Sequence, residues 1–231
     1  MDDNDEPITL LLRAESSYNV LVMYKMNQIM MNKTEIKRKE IIDAAFELML
    51  SKGYEGTSIQ DITDSIYATK GLFYHYFDSK KEAAAAVIEE AIKPAYYELW
   101  RHTWDEMYGG GENPLENIIA VIEKLYKRKA EEFSQTGCPL GNLILELSTK
   151  DLSLAKLTDE VIFLWHAQIE KTLIKAKESK IISLDADTAN ISNFIIAGIE
   201  GCIMLSKSKH DKEILRGCFE ILKNYIRSLQ L

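Results

Sequence analysis

The sequence predicts an all-α fold in which a short trihelical unit precedes a larger helical domain. Three observations carry that expectation. Helix breakers are scarce, with 11 glycines and 4 prolines in 231 residues, while Ala, Leu, Ile, Glu and Lys abound. From Lys33 onward apolar residues recur at helical spacing. No segment shows a sustained alternation of apolar and polar residues, the period-two signature of a strand.

Element by element, Ile36, Ile41, Ala44, Ala45, Phe46, Leu48 and Met49 keep mostly to one side of a first helix, and Gly53 stops it. Thr57 or Ser58 caps a short second helix carrying Ile59, Ile62 and Ile66. Thr69 caps a third, with Phe73, Tyr76 and Phe77 available to a core. Asp78 or Ser79 caps a fourth that runs to about Tyr108, with a kink expected at Pro94. Gly109, Gly110 and Gly111 form a flexible loop, and Pro114 suits the first turn of a fifth helix. After Gly137, helices are expected over about 139–149, 153–180, 185–207 and 211–229. The domain limits that follow are 1–32, 33–80 and 81–231. Residues 1–32 open on Asp2, Asp3, Asp5 and Glu6 and break their apolar part with Arg13, Glu15 and Lys25. That pattern is unlike a secretory signal. It reads as a poorly ordered extension, or else as an accessory element packed on the body.

The net charge of −8 is unevenly placed. Segment 33–81 is neutral, with eight basic and eight acidic residues, and the acidic excess lies on either side. Charge alone would not point to nucleic acid. Cys138, Cys202 and Cys218 are too few, and odd in number, for a disulfide framework. A reducing, cytoplasmic setting is expected. No stretch is expected to span a membrane.

Function is concentrated in Gly53–Glu82, GYEGTSIQDITDSIYATKGLFYHYFDSKKE. Two short helices joined by a tight turn, with a longer one before them, form a helix-turn-helix whose last helix can enter a major groove. Lys70 can donate to guanine or phosphate, Gly71 allows close approach, and Leu72 can meet a thymine methyl. Tyr74, His75, Tyr76 and Lys80 offer further contacts, largely to phosphate. Backbone amides near Thr57, Ser58 and Ser79 also suit phosphate. Thr69 and Tyr67 complete the expected DNA-binding set.

These residues resemble the TetR family of regulators. The shared motif is Gly53-Tyr54, Thr57-Ser58, Ile59, Ile62, Lys70-Gly71, Tyr74, Phe77 and Ser79-Lys80, in matching order, spacing and N-terminal position. The motif and the helix before it cover about 50 residues; the helical remainder agrees in length and class. The resemblance implies an N-terminal three-helix helix-turn-helix domain followed by a larger helical ligand-binding and dimerisation domain. It also implies a homodimer, formed through the C-terminal helices, that leaves a palindromic double-stranded operator when a small-molecule effector binds. One departure stands out. The family usually has Ala-Gly-Val in the turn, where this chain has Ile66-Tyr67-Ala68. Tyr67 must bear a glycine-like conformation or shift the turn.

A second segment, Gly137-Cys138-Pro139-Leu140-Gly141-Asn142, resembles a Gly-Cys-x-x-Gly-Asn subgroup of the family, some members of which respond to electrophiles or unsaturated acids. A cysteine just ahead of a helix feels the amide dipoles, which favour a thiolate. Cys138 therefore reads either as a thiol sensor or as a small buried residue, with Gly141 allowing a close helix contact. Trp100, Trp104, Tyr126, Asn142 and Trp165 join it as candidate effector contacts. Apolar stripes with Ala197, Gly198 and Gly201 on the last two helices suit a symmetric interface. No catalytic pair, metal cluster or phosphate loop stands out, so no enzyme activity, cofactor or metal is expected. Two other readings remain: a thiol-based electrophile or redox sensor acting through Cys138, and a ligand-binding module or enzyme without DNA binding.

Overall fold

The computed structural model describes residues 33–101 and 113–231. The expectations for residues 1–32, for Trp104 and for the Gly109–Gly111 loop lie outside them. The described residues form helices α1 (Lys33–Lys52), α2 (Ile59–Ser65), α3 (Lys70–Tyr76), α4 (Lys80–Ala86), α5 (Lys93–Arg101), α6 (Pro114–Thr136), α7 (Pro139–Leu147), α8 (Leu152–Glu178), α9 (Thr188–Lys209) and α10 (Lys212–Ser228). Among them no strand forms; one isolated antiparallel bridge joins Ile182 to Gln230.

The caps explain most of the boundaries. Ser58, Thr69 and Ser79 each accept a backbone N–H from the first turn of α2, α3 and α4. Ser58 and Asp61 form a reciprocal capping box, so Ser58 rather than Thr57 is the cap. Gly53 follows α1 at φ 78°, a left-handed conformation that suits glycine.

The expected kink at Pro94 takes another form. Between α4 and α5 the chain makes a π-helical turn over Val87–Ile92. The N–H of Lys93 bonds back to the carbonyl of Ile88, one residue further than in an α-helix. Proline lacks the N–H that would complete the α ladder there, and a π-turn re-registers the hydrogen bonds just before it.

Two compact units divide the chain at Ile41/Ile42. Of the first, residues 33–41 are described, the opening turns of α1 with Lys37 paired to Glu40 at 2.6 Å. The second holds both the helix-turn-helix and the helices after it. Its spine is α8, the longest helix at 27 residues, which touches α4, the π-turn, α5, α6, α7 and α9. Helices α6, α9 and α10 pack on one another. Gly198 lets α9 approach α10, because a Cβ there would stand 3.0 Å from Leu222. Gly201 faces no atom within 4 Å, so it serves no such contact here.

Helix α9 bears on the membrane expectation. By length and composition it is apolar enough to cross a bilayer. It is instead a packed helix, with Ile195, Ile199 and Ile203 buried against its neighbours.

Candidate nucleic-acid interface and effector cavity

The reading head is built on a small aromatic core. Ile62, Phe73 and Phe77 are fully buried, and the two phenylalanine rings lie 5.8 Å apart. With Phe73 turned inward, the opposite side of α3 carries Lys70, Gly71, Tyr74 and His75, all exposed. Lys70 and Tyr74 are four residues apart, as are Gly71 and His75, so the pairs line one helical face. Leu72 and Tyr76 are half-buried at the edges of that face.

The turn between α2 and α3 is closed by Tyr67 N–H to Asp64 (3.2 Å) and Ala68 N–H to Thr63 (2.8 Å). Tyr67 bears the glycine-like conformation, with φ 54°. Its ring is 99% exposed, so among the described residues no packing of that side chain offsets the strain. Exposed at the lip of the reading head, its hydroxyl is available to a phosphate. Replacing Tyr67 with Asn, which tolerates this conformation, should raise the melting temperature by about 2–4 °C for the roughly 1 kcal/mol released. Operator affinity should fall a few-fold in the same variant. Calorimetry and a binding titration read the two effects separately.

Of the sequence-predicted contacts, that of the Lys80 side chain is corrected, while the expectation at Thr57 concerned its backbone amide. Thr57 is buried, and its hydroxyl donates to the Gly53 carbonyl at 2.7 Å. Only its backbone is left for a phosphate. Lys80 is half-buried; its ammonium donates to the Tyr54 carbonyl at 2.9 Å and sits 4.2 Å over the Tyr54 ring. It fastens α4 to the turn after α1, and that role takes its charge out of the free surface.

The same turn is held from the other side by Glu146 near the end of α7. Its two carboxylate oxygens accept the N–H groups of Tyr54 (2.8 Å) and Glu55 (2.7 Å). Gly53 must be glycine here for a second reason, since a Cβ would stand 2.9 Å from that carboxylate. Nearby, Lys81 pairs with Asp151 at 2.9 Å, across the start of α8.

At its other end α7 meets a cavity of about 230 Å³. Tyr96, Trp100, Leu125, Phe133, Trp165 and Ile203 are among its walls, and its two acids are Glu132 of α6 and Glu200 of α9. The Trp165 ring is 5.3 Å from Tyr96 and 5.6 Å from Trp100. Tyr126, proposed as an effector contact, lies instead in a separate groove with Phe219 and Lys223.

Cys138 is the N-cap of α7 and is buried. Its sulfur accepts the Gly141 N–H at 3.3 Å and lies 2.8 Å from the Tyr96 hydroxyl. The Glu200 carboxylate lies close by. The expected thiolate is not favoured. Desolvation, reinforced by the Glu200 charge, pushes the thiol far above its ordinary value despite the Tyr96 and Gly141 hydrogen bonds. Burial outweighs the helix dipole.

The motif itself has a packing explanation. Gly137 sits at φ 82° where a Cβ would stand 2.8 Å from Lys207. At Gly141 a Cβ would collide with the Glu200 carboxylate. Asn142 donates to the Thr136 carbonyl (2.8 Å) and accepts from Lys207 (3.2 Å). Asn142 therefore ties α7 to the end of α6 and to α9 and does not line the cavity, which corrects its assignment as an effector contact. Gly141→Ala should cost about 1–3 kcal/mol by overpacking, a loss of roughly 2–12 °C in a thermal melt.

The model of bacterial regulatory proteins of the tetR family matches residues 41–87, and a tetracyclin repressor-like C-terminal domain matches residues 114–221. The chain is 33% identical to an uncharacterized HTH-type transcriptional regulator in the lacX 3′ region of Lactococcus lactis subsp. lactis, over 80% of this chain and 91% of that one. The chain belongs to the TetR family. The transcriptional repressor DhaR of Mycobacterium sp. (strain GP1) is 27% identical over 77% of this chain and 86% of its own. A TetR regulator from Chloroflexus aurantiacus superposes with a TM-score of 0.74 at 25% identity, covering 87% of this chain and 98% of that one.

On this TetR scaffold, α3 brings together Lys70, Gly71, Tyr74 and His75, with Thr69 as its cap. The cavity brings together Trp100 and Trp165. Sequence reasoning missed Glu146 and Glu200. Glu200 had a legible signal, for it is the single charged residue between Thr188 and Ser206. Glu146 had none, because its partners are backbone amides about 90 residues away.

Proposed function

We propose that this chain is a repressor that holds a palindromic operator as a homodimer and releases it when a small molecule fills the cavity. Residues 33–80 read the DNA, and residues 81–231 sense and dimerise. The observation that carries the reading is the double attachment of α7. One end touches the cavity acid Glu200 through Cys138 and Gly141. The other end holds the helix-turn-helix through Glu146. A ligand that displaces α7 must disturb the turn that orients α2 and α3. The Gly-Cys-x-x-Gly-Asn subgroup, a cytoplasmic location and dimerisation through α9 and α10 complete the proposal. Supporting the last are the exposed Phe194, Met204, Leu205 and Ile221, an apolar surface that a monomer would leave in water. Salt-sensitive binding of the purified protein to DNA flanking its own gene tests the reading. No binding at low salt would overturn it.

A thiol-sensing variant of this reading has one observation in its favour. Glu200 is a base beside the Cys138 thiol. Cys138→Ser separates the two. It leaves ligand-driven release unchanged if the cavity alone responds, and abolishes release by electrophiles if the thiol does.

A further inference from the structure

The cavity contains a polar group whose needs are unmet. The Glu200 side chain is largely buried in apolar surroundings. Its Oε2 side lies against Gly141, next to Cys138. Among the described residues, Oε1 is buried with no hydrogen-bond partner. A buried acceptor left unmade is expensive, the more so when charged. Burial accordingly raises the Glu200 carboxyl above its ordinary value, only partly offset by the thiol. Around it stand aromatic rings, Tyr96 and Trp165 edge to face and Trp100 tilted against Trp165. Such rings favour a cation over an anion near their faces.

Resting on the effector-responsive reading above, we propose that the cavity takes a flat aromatic monocation whose N–H group donates to Glu200. The unpartnered Oε1 requires a donor, and an ammonium supplies a donor and a countercharge together. The aromatic and aliphatic walls take the apolar body. Lys124 and Arg128 also line the cavity. They limit the ligand to a single positive charge, held at the Glu200 end. They do not make the cavity an anion site of equal standing. Arg128 is exposed, so water meets its needs, and the half-buried Lys124, partly desolvated, has Glu98 as a nearby countercharge. Lys129 is neutralised by Glu132 at 2.5 Å. Solvation therefore places the larger gain at Glu200.

Three probes of one shape test this on the full chain: 2-naphthylmethylammonium, 2-naphthalenemethanol and 2-naphthoate, titrated by quenching of tryptophan fluorescence. The ammonium should bind about tenfold or more tightly than either other probe. Glu200→Gln should bring it down to the alcohol's affinity and leave the alcohol unchanged, which also shows that the variant is folded. Equal affinities, a preference for naphthoate, or a preference for the ammonium that survives in Glu200→Gln each overturn the proposal. Should the variant not fold, the order of the three affinities in the unsubstituted protein decides alone. An operator-binding assay beside it separates the two readings. Retained DNA binding without ammonium preference overturns only the ligand class, and absent DNA binding overturns the regulator itself.

Discussion

Replacing Glu146 with Ala should lower the melting temperature by roughly 4–16 °C and detach ligand binding from operator release. The carboxylate accepts two backbone N–H groups, those of Tyr54 and Glu55, in the turn that leads into the reading head. Hydrogen bonds to a charged acceptor contribute about 1.5–3 kcal/mol each. Glu55 is exposed and water can replace its bond, so the pair together contributes about 2–4 kcal/mol. That converts to the stated temperature range for a chain of this size. Glu146→Gln keeps one acceptor oxygen and should lose less. The functional effect is the sharper one. With the α7 anchor gone, a probe should still quench the cavity tryptophans, yet operator release should require more of it or fail. Release that tracks occupancy as in the unsubstituted protein would show that coupling runs elsewhere.

Lys70→Ala should weaken operator binding by about 10- to 100-fold. Lys70 opens α3, is exposed, and pairs with no carboxylate among the described residues. Among the described lysines from Lys52 to Lys81 it is the one left to meet DNA, since Lys52 is paired with Asp61 at 3.1 Å and Lys80 and Lys81 are held by Tyr54 and Asp151. Alanine is a good helix former, so the fold should survive. If Lys70 reads a base, the loss should relax sequence preference at one position of each half-site. If it meets a phosphate, affinity should fall uniformly and the salt slope should drop by about one per head. A slope and affinity both unchanged would remove Lys70 from the interface. Lys80→Ala, by contrast, should act mainly on stability, because that ammonium is committed inside the protein.

The helix-turn-helix was legible because its determinants are local. Caps at Ser58, Thr69 and Ser79, the stop at Gly53 and the inward Phe73 and Phe77 all act within a few residues of the positions that define them. Tyr67 was legible as a difficulty for the same reason: the turn needs a positive φ whatever residue stands there. The kink at Pro94 was half legible. Proline dictates that a hydrogen bond is missing, but not that a π-turn absorbs it.

By itself the sequence determined the helical class, the position of the reading head and the face that α3 presents, since each follows from spacing along one segment. The tertiary structure decided the charges and the thiol. Whether Lys80 is free, whether Cys138 ionises and what Asn142 holds depend on groups brought from distant helices: Tyr54, Glu200 and Lys207. Desolvation is a property of the surroundings and not of the chain. The helix dipole that favours a thiolate at Cys138 can be read from sequence, while the burial that overrides it cannot.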